Sequence, residues 1–184
     1  MKFIFDEAGK KGIVVRFEAG LLAHQYSRGA IKNGGELLIS TSKEAYSLRR
    51  FLVLIREVVR VAKTHGIETL VVSWKDMAAL APEGVPAEEL ATLVAENMLM
   101  AGYQFSFYKN QKAKTVAPAV TQVVWRETGK KTSLLRKAMA EGVTRGTHIN
   151  WCRNLANTPG NDMTPRVLAA EVRRAILKEK NKKL

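Results

Sequence analysis

Cysteine is all but missing from this chain. Cys152 is the only one in 184 residues, so no intrachain disulfide can form, and such usage suits a reducing compartment. Long apolar runs are missing too: nothing approaches the roughly 20 apolar residues that a membrane span needs. The N-terminus, MKFIFDEAGKKG, reaches acidic residues by positions 6 and 7 and lacks the apolar core of a signal peptide. These absences predict a cytoplasmic chain with no membrane partner. Histidine and aspartate are equally scarce, at His24, His65 and His148 and at Asp6, Asp76 and Asp162. A two-metal hydrolase needs several carboxylates converging on its cations and a water, and no pair here is spaced for that. HExxH, GxSxG, P-loop and GxGxxG patterns are absent. The chain therefore predicts no catalytic, cofactor-binding or metal-binding residue of its own.

What is present is the balance of a globular protein, 46% hydrophobic and 26% charged residues. The length suits one ordinary domain with a real core plus an appendage. The net charge of +13 is unevenly spread: residues 109–184 hold 17 Lys and Arg against 5 Asp and Glu, while residues 69–108 hold 1 against 5. A basic block of this kind attracts nucleic acid weakly and without sequence preference, or meets an acidic protein surface, or is simply solvated. Lys109, Lys112 and Lys114 are its best candidate anion patch, against a solvated basic turn as the plain alternative.

Along the chain, Gly12 to Glu18 is β-branched and apolar enough for a strand, as is Glu36 to Ser40, with a loop from Gly20 to Gly35 between them. Thr41 and Ser42 are candidate caps ahead of a helix. Leu48 to Lys63 is the clearest helix, with Leu48, Phe51, Leu52, Ile55, Val58, Val59 and Ala62 recurring at spacings of three and four and arginines on the opposite arc. His65-Gly66 closes it. Thr69 to Trp74 reads as a buried central strand, and the strand–helix–strand run argues for an α/β sheet with parallel members. Pro86 to Ala101 is a second strong helix. Tyr103 to Tyr108 alternates like a strand with one face on the core, and Val120 to Arg126 is the next strand. Ser133 is a candidate cap for a long helix running towards Cys152, with Gly142 and Gly146 inside it as possible marks of close packing. Cys152 beside Trp151 reads as a buried small hydrophobe, His148 as a lone histidine, and Trp74 as core.

The stretch from Trp151 to Val172 joins two helical patterns. Asn157, Thr158, Pro159, Gly160 and Asn161 form a turn: Pro159 cannot continue a helix, Gly160 tolerates positive φ, and Asn161 can bond nearby backbone. Thr164 then reads as an N-cap with Pro165 at the first helical position.

The wording of that joint, RNLANTPGNDMTP followed by an alanine-rich helix, resembles the segment joining the two domains of leucyl (cytosol) aminopeptidases, which are di-metal exopeptidases. The likeness extends back through Glu141-Gly142-Val143 and more loosely to the stretch from Glu96 to Lys109. It implies an α/β fold: a macro-like three-layer domain over residues 1–150, with a mixed sheet of five or six strands and helices on both faces. Residues 151–184 would be an interdomain joint and the start of a connecting helix. The family's catalytic domain, with its two Zn or Mn ions, would lie outside the chain, since the FDSGG and NTDAEGR signatures carrying its metal ligands do not occur. Implied partners are that catalytic domain and sister subunits of a homo-hexamer. A macro-like pocket binding a nucleotide, or a basic nucleic-acid-binding module, are the alternatives.

Overall fold

The computed structural model describes residues 1–5, 12–28, 35–108, 119–126, 128–129 and 132–181. Among these described residues six strands and five helices follow in order: β1 (Lys2–Phe5), β2 (Ile13–Ala19), β3 (Gln25–Arg28), β4 (Gly35–Thr41), α1 (Leu48–Thr64), β5 (Thr69–Ser73), α2 (Trp74–Ala78), α3 (Ala87–Gly102), β6 (Gln122–Arg126), α4 (Thr132–Asn157) and α5 (Pro165–Asn181). The strands form one mixed sheet in the order β1-β6-β5-β2-β4-β3. All pairs are parallel except β3 with β4. This is the α/β class that the alternation of strand and helix patterns predicts. Contacts divide the chain into two compact units, Met1–Thr147 and His148–Leu184, the boundary falling inside α4.

The first unit owes its core to alternation. Leu70 and Val72 on β5 and Val123 and Trp125 on β6 share one sheet face, fully buried with Phe51, Ile55 and Val58 of α1 and Val94 and Met98 of α3. Burying each large apolar side chain contributes about 1.5–3 kcal/mol, which is what holds the valine-rich α1 helical against its modest propensity. β4 and β5 flank β2 on opposite sides, so the crossover through α1 spans one strand. Gly66, at φ +66°, turns the chain out of α1 behind the capping residue His65.

Several expectations need correcting. The Tyr103–Tyr108 stretch is not a strand: both flanks of β6 are taken by β1 and β5. Phe105 instead gathers Phe107 and Tyr108 around itself, with ring centroids 5.6 and 5.9 Å apart. Trp74 begins α2 rather than ending a strand, because the Ser73 hydroxyl accepts the Asp76 amide and starts a helical turn. Trp74 is nonetheless core, edge-on to Trp125. Ser47, not Thr41 or Ser42, caps α1 by accepting the Arg50 amide. Ser133 lies inside α4; Thr132 begins it and donates to the Gly129 carbonyl. The loop read between Gly20 and Gly35 contains the polar strand β3.

Candidate functional site

The joint is built almost wholly from backbone bonds. At the end of α4, Thr158 donates its amide to the carbonyls of Asn154 and Leu155 and its hydroxyl to Asn154. The Pro159 carbonyl then accepts the amides of both Asp162 and Met163 at 2.9 Å, closing a tight turn around Gly160 and Asn161. Gly160 does not use the left-handed region that it would tolerate, and an added Cβ there meets nothing within 4 Å. Its neighbour Pro159 supplies the redirection. Thr164 stands at the head of α5, its hydroxyl 3.4 Å from the Val167 amide and its carbonyl accepting from Leu168, with Pro165 the first helical residue. Asn157 is the last residue of α4. These residues end one helix and start another; none of them offers a convergent set of polar groups.

Lys109, Lys112 and Lys114 lie outside the described residues. Cys152 is exposed rather than buried, and among the described residues from His148 onward none is buried. His148 is exposed as well. His65 caps α1 and lies against the Tyr26 ring, 4.9 Å between centroids. Among the described residues no three His, Cys, Asp or Glu side chains come together in the manner of a metal site, and no helix is long and apolar enough to cross a membrane.

Two arrangements escape a reading of the sequence because they join distant segments. First, β2 and β5 are parallel neighbours from which the chain departs in opposite directions, β2 towards β4 and β5 towards β6. Outside the carboxyl ends of such strands α/β sheets hold their ligands. A crevice of about 480 Å³ lies along these strands, from the middle of β5 to the end of β6, lined by Val14, Phe17, Val71, Asp76 and two arginines, Arg16 and Arg126. Arg16 is paired with Glu36 of β4. Second, the His24 ring is held between two elements. Its Nδ1 accepts the Ser40 amide at 3.0 Å and its Nε2 lies 3.3 Å from the Glu57 carboxylate. Glu57 is also gripped by Arg60, whose Nε donates at 2.8 Å. That guanidinium bond first, and the charge of Arg60 after it, hold the Glu57 carboxyl below its ordinary pKa of 4.5 against the opposing effect of burial.

A parallel-rich sheet with flanking helices and a capped joint defines an α/β domain followed by a helical segment, and comparison with known proteins supplies its lineage. The chain is similar to the N-terminal part of cytosol aminopeptidases, which match it over 80–89% of its length. A probable cytosol aminopeptidase of Hamiltonella defensa is 30% identical over 165 residues, covering 89% of this chain and 31% of the relative. One from Roseiflexus castenholzii is 28% identical over 148 residues, covering 80% and 30%. The chain thus spans under a third of these relatives' length. No family model matches it. Among solved structures, the bottromycin maturation enzyme BotP superposes with a TM-score of 0.69 at 20% identity, covering 92% of this chain and 38% of that one. A second BotP structure, in complex with Mn, gives 0.66 at 20% identity, covering 89% and 35%. A mutant tomato leucine aminopeptidase gives 0.68 at 14% identity, covering 95% and 42%. These structural likenesses show a shared fold.

Proposed function

We propose that this chain is the non-catalytic assembly domain of a leucyl aminopeptidase-like metallo-exopeptidase. Residues 1–150 form its macro-like three-layer body, and residues 151–184 form the joint and the first part of a connecting helix. In this reading the peptide-cleaving chemistry, with two Zn or Mn ions, belongs to the remaining two-thirds of the family's length. The domain's own partners are that catalytic portion and sister subunits of a cytoplasmic homo-hexamer. The observation that carries the reading is coverage: the relatives match this chain nearly end to end, yet it accounts for only 31% and 30% of them. The manganese held by the BotP complex supports a metal-dependent parent.

Two measurements test it. The purified 184-residue chain, given leucine p-nitroanilide with Zn²⁺ or Mn²⁺, should show no turnover. Turnover that survives repurification would overturn the non-catalytic role. Mixed with the separately expressed remainder of the Hamiltonella relative, the chain should co-elute as a larger assembly. Independent elution of the two at micromolar concentration would overturn the assembly role.

Two observations favour a second reading: Arg16 and Arg126 line the crevice beside β2 and β5 and suit a phosphate-bearing ligand, and the basic final third suits weak, salt-sensitive nucleic-acid binding. Phosphate contacts of that kind give affinity without base readout. Fluorescence titration with duplex DNA at two salt concentrations separates the readings. Binding at the lower salt that fades at the higher one and is equal for unrelated sequences would support the second reading, and no binding at either salt would overturn it.

A further inference from the structure

On the outer side of α1 a shallow cleft of about 370 Å³ opens between that helix and the segments carrying His24 and Tyr46. Its floor is carbon: Leu54, the Tyr46 ring, and Val53, which is 54% exposed and is the one large aliphatic residue of α1 left open to solvent. Its rim is cationic. Arg49 has no carboxylate within ion-pairing distance among the described residues. Arg50 stands over the Tyr46 ring at 5.9 Å and meets Glu44 only at 3.5 Å, on the open surface. The carboxylate inside the cleft, Glu57, is already engaged by Arg60 and His24. The cleft's walls are fixed as well, since the Tyr46 hydroxyl accepts the Ser42 amide at 2.7 Å and the Ser40 amide pins the His24 ring.

A guanidinium with no carboxylate partner among the described residues, beside an apolar depression, is complementary to an anion with a hydrocarbon body. Arginine's planar fork matches a carboxylate in two parallel bonds, and apolar floors with a few placed polar groups are the usual make-up of small-molecule sites. Glu57 within the cleft disfavours a dianion, which would bring a second negative charge against it. We propose that this cleft binds a monocarboxylate with an aryl or branched aliphatic body, Arg49 taking the carboxylate and Val53, Leu54 and the Tyr46 ring taking the body. This site stands apart from the joint and does not depend on the assembly role.

The probe is 4-phenylbutyrate, titrated into the 184-residue chain with ¹³C-labelled methyl groups. The Val53 and Leu54 methyl signals should shift and saturate. Arg49→Ala should weaken binding about fivefold or more, the scale of one lost charge-assisted bond. Val53→Asp, placing a carboxylate on the floor, should do the same. Both positions are exposed, so unchanged circular dichroism will report an intact fold. The neutral 4-phenylbutanamide should bind at least about fivefold more weakly than the acid, for the same reason. Shifts that never saturate, an amide that binds as tightly as the acid, or Arg49→Ala binding unaltered would each overturn the proposal.

Discussion

Gly142 faces the carbonyl of Thr92 so closely that a Cβ built on it would fall 2.1 Å from that oxygen and 2.9 Å from the Ala95 Cβ. Four residues earlier on the same face of α4, the Ala138 carbonyl accepts the Thr92 hydroxyl at 3.1 Å. The two helices thus meet backbone to backbone, which explains why a glycine is kept inside a long helix at roughly 1 kcal/mol against alanine. Gly142→Ala must push α3 and α4 apart, and overpacking of this kind costs about 1–3 kcal/mol or more. Gly146→Ala should cost less, because its nearest neighbours, the Leu99 Cβ at 3.0 Å and the Glu96 carbonyl at 3.1 Å, stand almost an ångström further off than the Thr92 carbonyl does from Gly142. Urea midpoints of the two variants check the order. Equal stability of Gly142→Ala and the parent would mean that the helices are not held at this distance.

Glu57 links protonation to stability. Its pKa is lowered in the folded chain, first by the Arg60 bond. The stabilisation is therefore complete above the unfolded value near 4.5 and is lost as pH falls through the lower folded value. Denaturant midpoints should drop more between pH 6 and pH 3 for the parent than for Glu57→Gln. An identical drop in both would show that Glu57 contributes nothing to acid sensitivity. With Nδ1 accepting from the Ser40 amide, the neutral His24 ring should carry its proton on Nε2, which ¹⁵N shifts of the imidazole report directly.

The elements that a reader of the sequence finds are those whose burial pattern is local. α1 and α3 announce themselves by period, and β5 and β6 by the unbroken apolar runs Leu70–Val72 and Val123–Trp125 that a doubly covered strand requires. β1 is four residues long and β3 reads Gln-Tyr-Ser-Arg. Both are sheet edges, where pairing on one side relaxes the demand for apolar alternation, so neither stands out. The 103–108 stretch alternates well yet finds no open partner at β6, a fact that only the assembled strand order supplies. The joint was legible because proline, and a threonine followed by proline, act through their own backbone chemistry. His24, Ser40 and Glu57 were not, since 16 residues separate the first two and only the sheet brings them together.

The joint itself separates two kinds of substitution. Thr164→Ala removes the hydroxyl that faces the Val167 amide, and loss of such a cap costs about 0.5–2 kcal/mol. Gly160→Ala meets open space without a left-handed φ, so it should be neutral or stabilising by up to about 1 kcal/mol through the unfolded chain. Helical content and amide exchange over 165–170 should fall in protection for Thr164→Ala, recover in Thr164→Ser, and hold in Gly160→Ala. The reverse order would mean that the glycine, not the threonine, shapes the entry into α5.

α5 carries an apolar stripe that its own unit leaves open. Leu168, Val172 and Ile176 recur at intervals of four and are 41%, 38% and 51% exposed, with Val167 and Leu177 beside them at 39% and 60%. Apolar surface kept in water forgoes roughly 25 cal/mol per Å², and an isolated helix of this length is marginal in water. A dilute monomer should therefore exchange the amides of residues 172–180 quickly, while Phe51 to Ala62 of α1, packed in the core, stay protected. Raising the concentration, or adding the remaining portion of an aminopeptidase relative, should slow exchange over 172–180 by covering the stripe. Strong protection of these amides in a demonstrated monomer would mean that α5 is held by this chain alone, and the reading of it as a connecting helix awaiting its neighbour would fail.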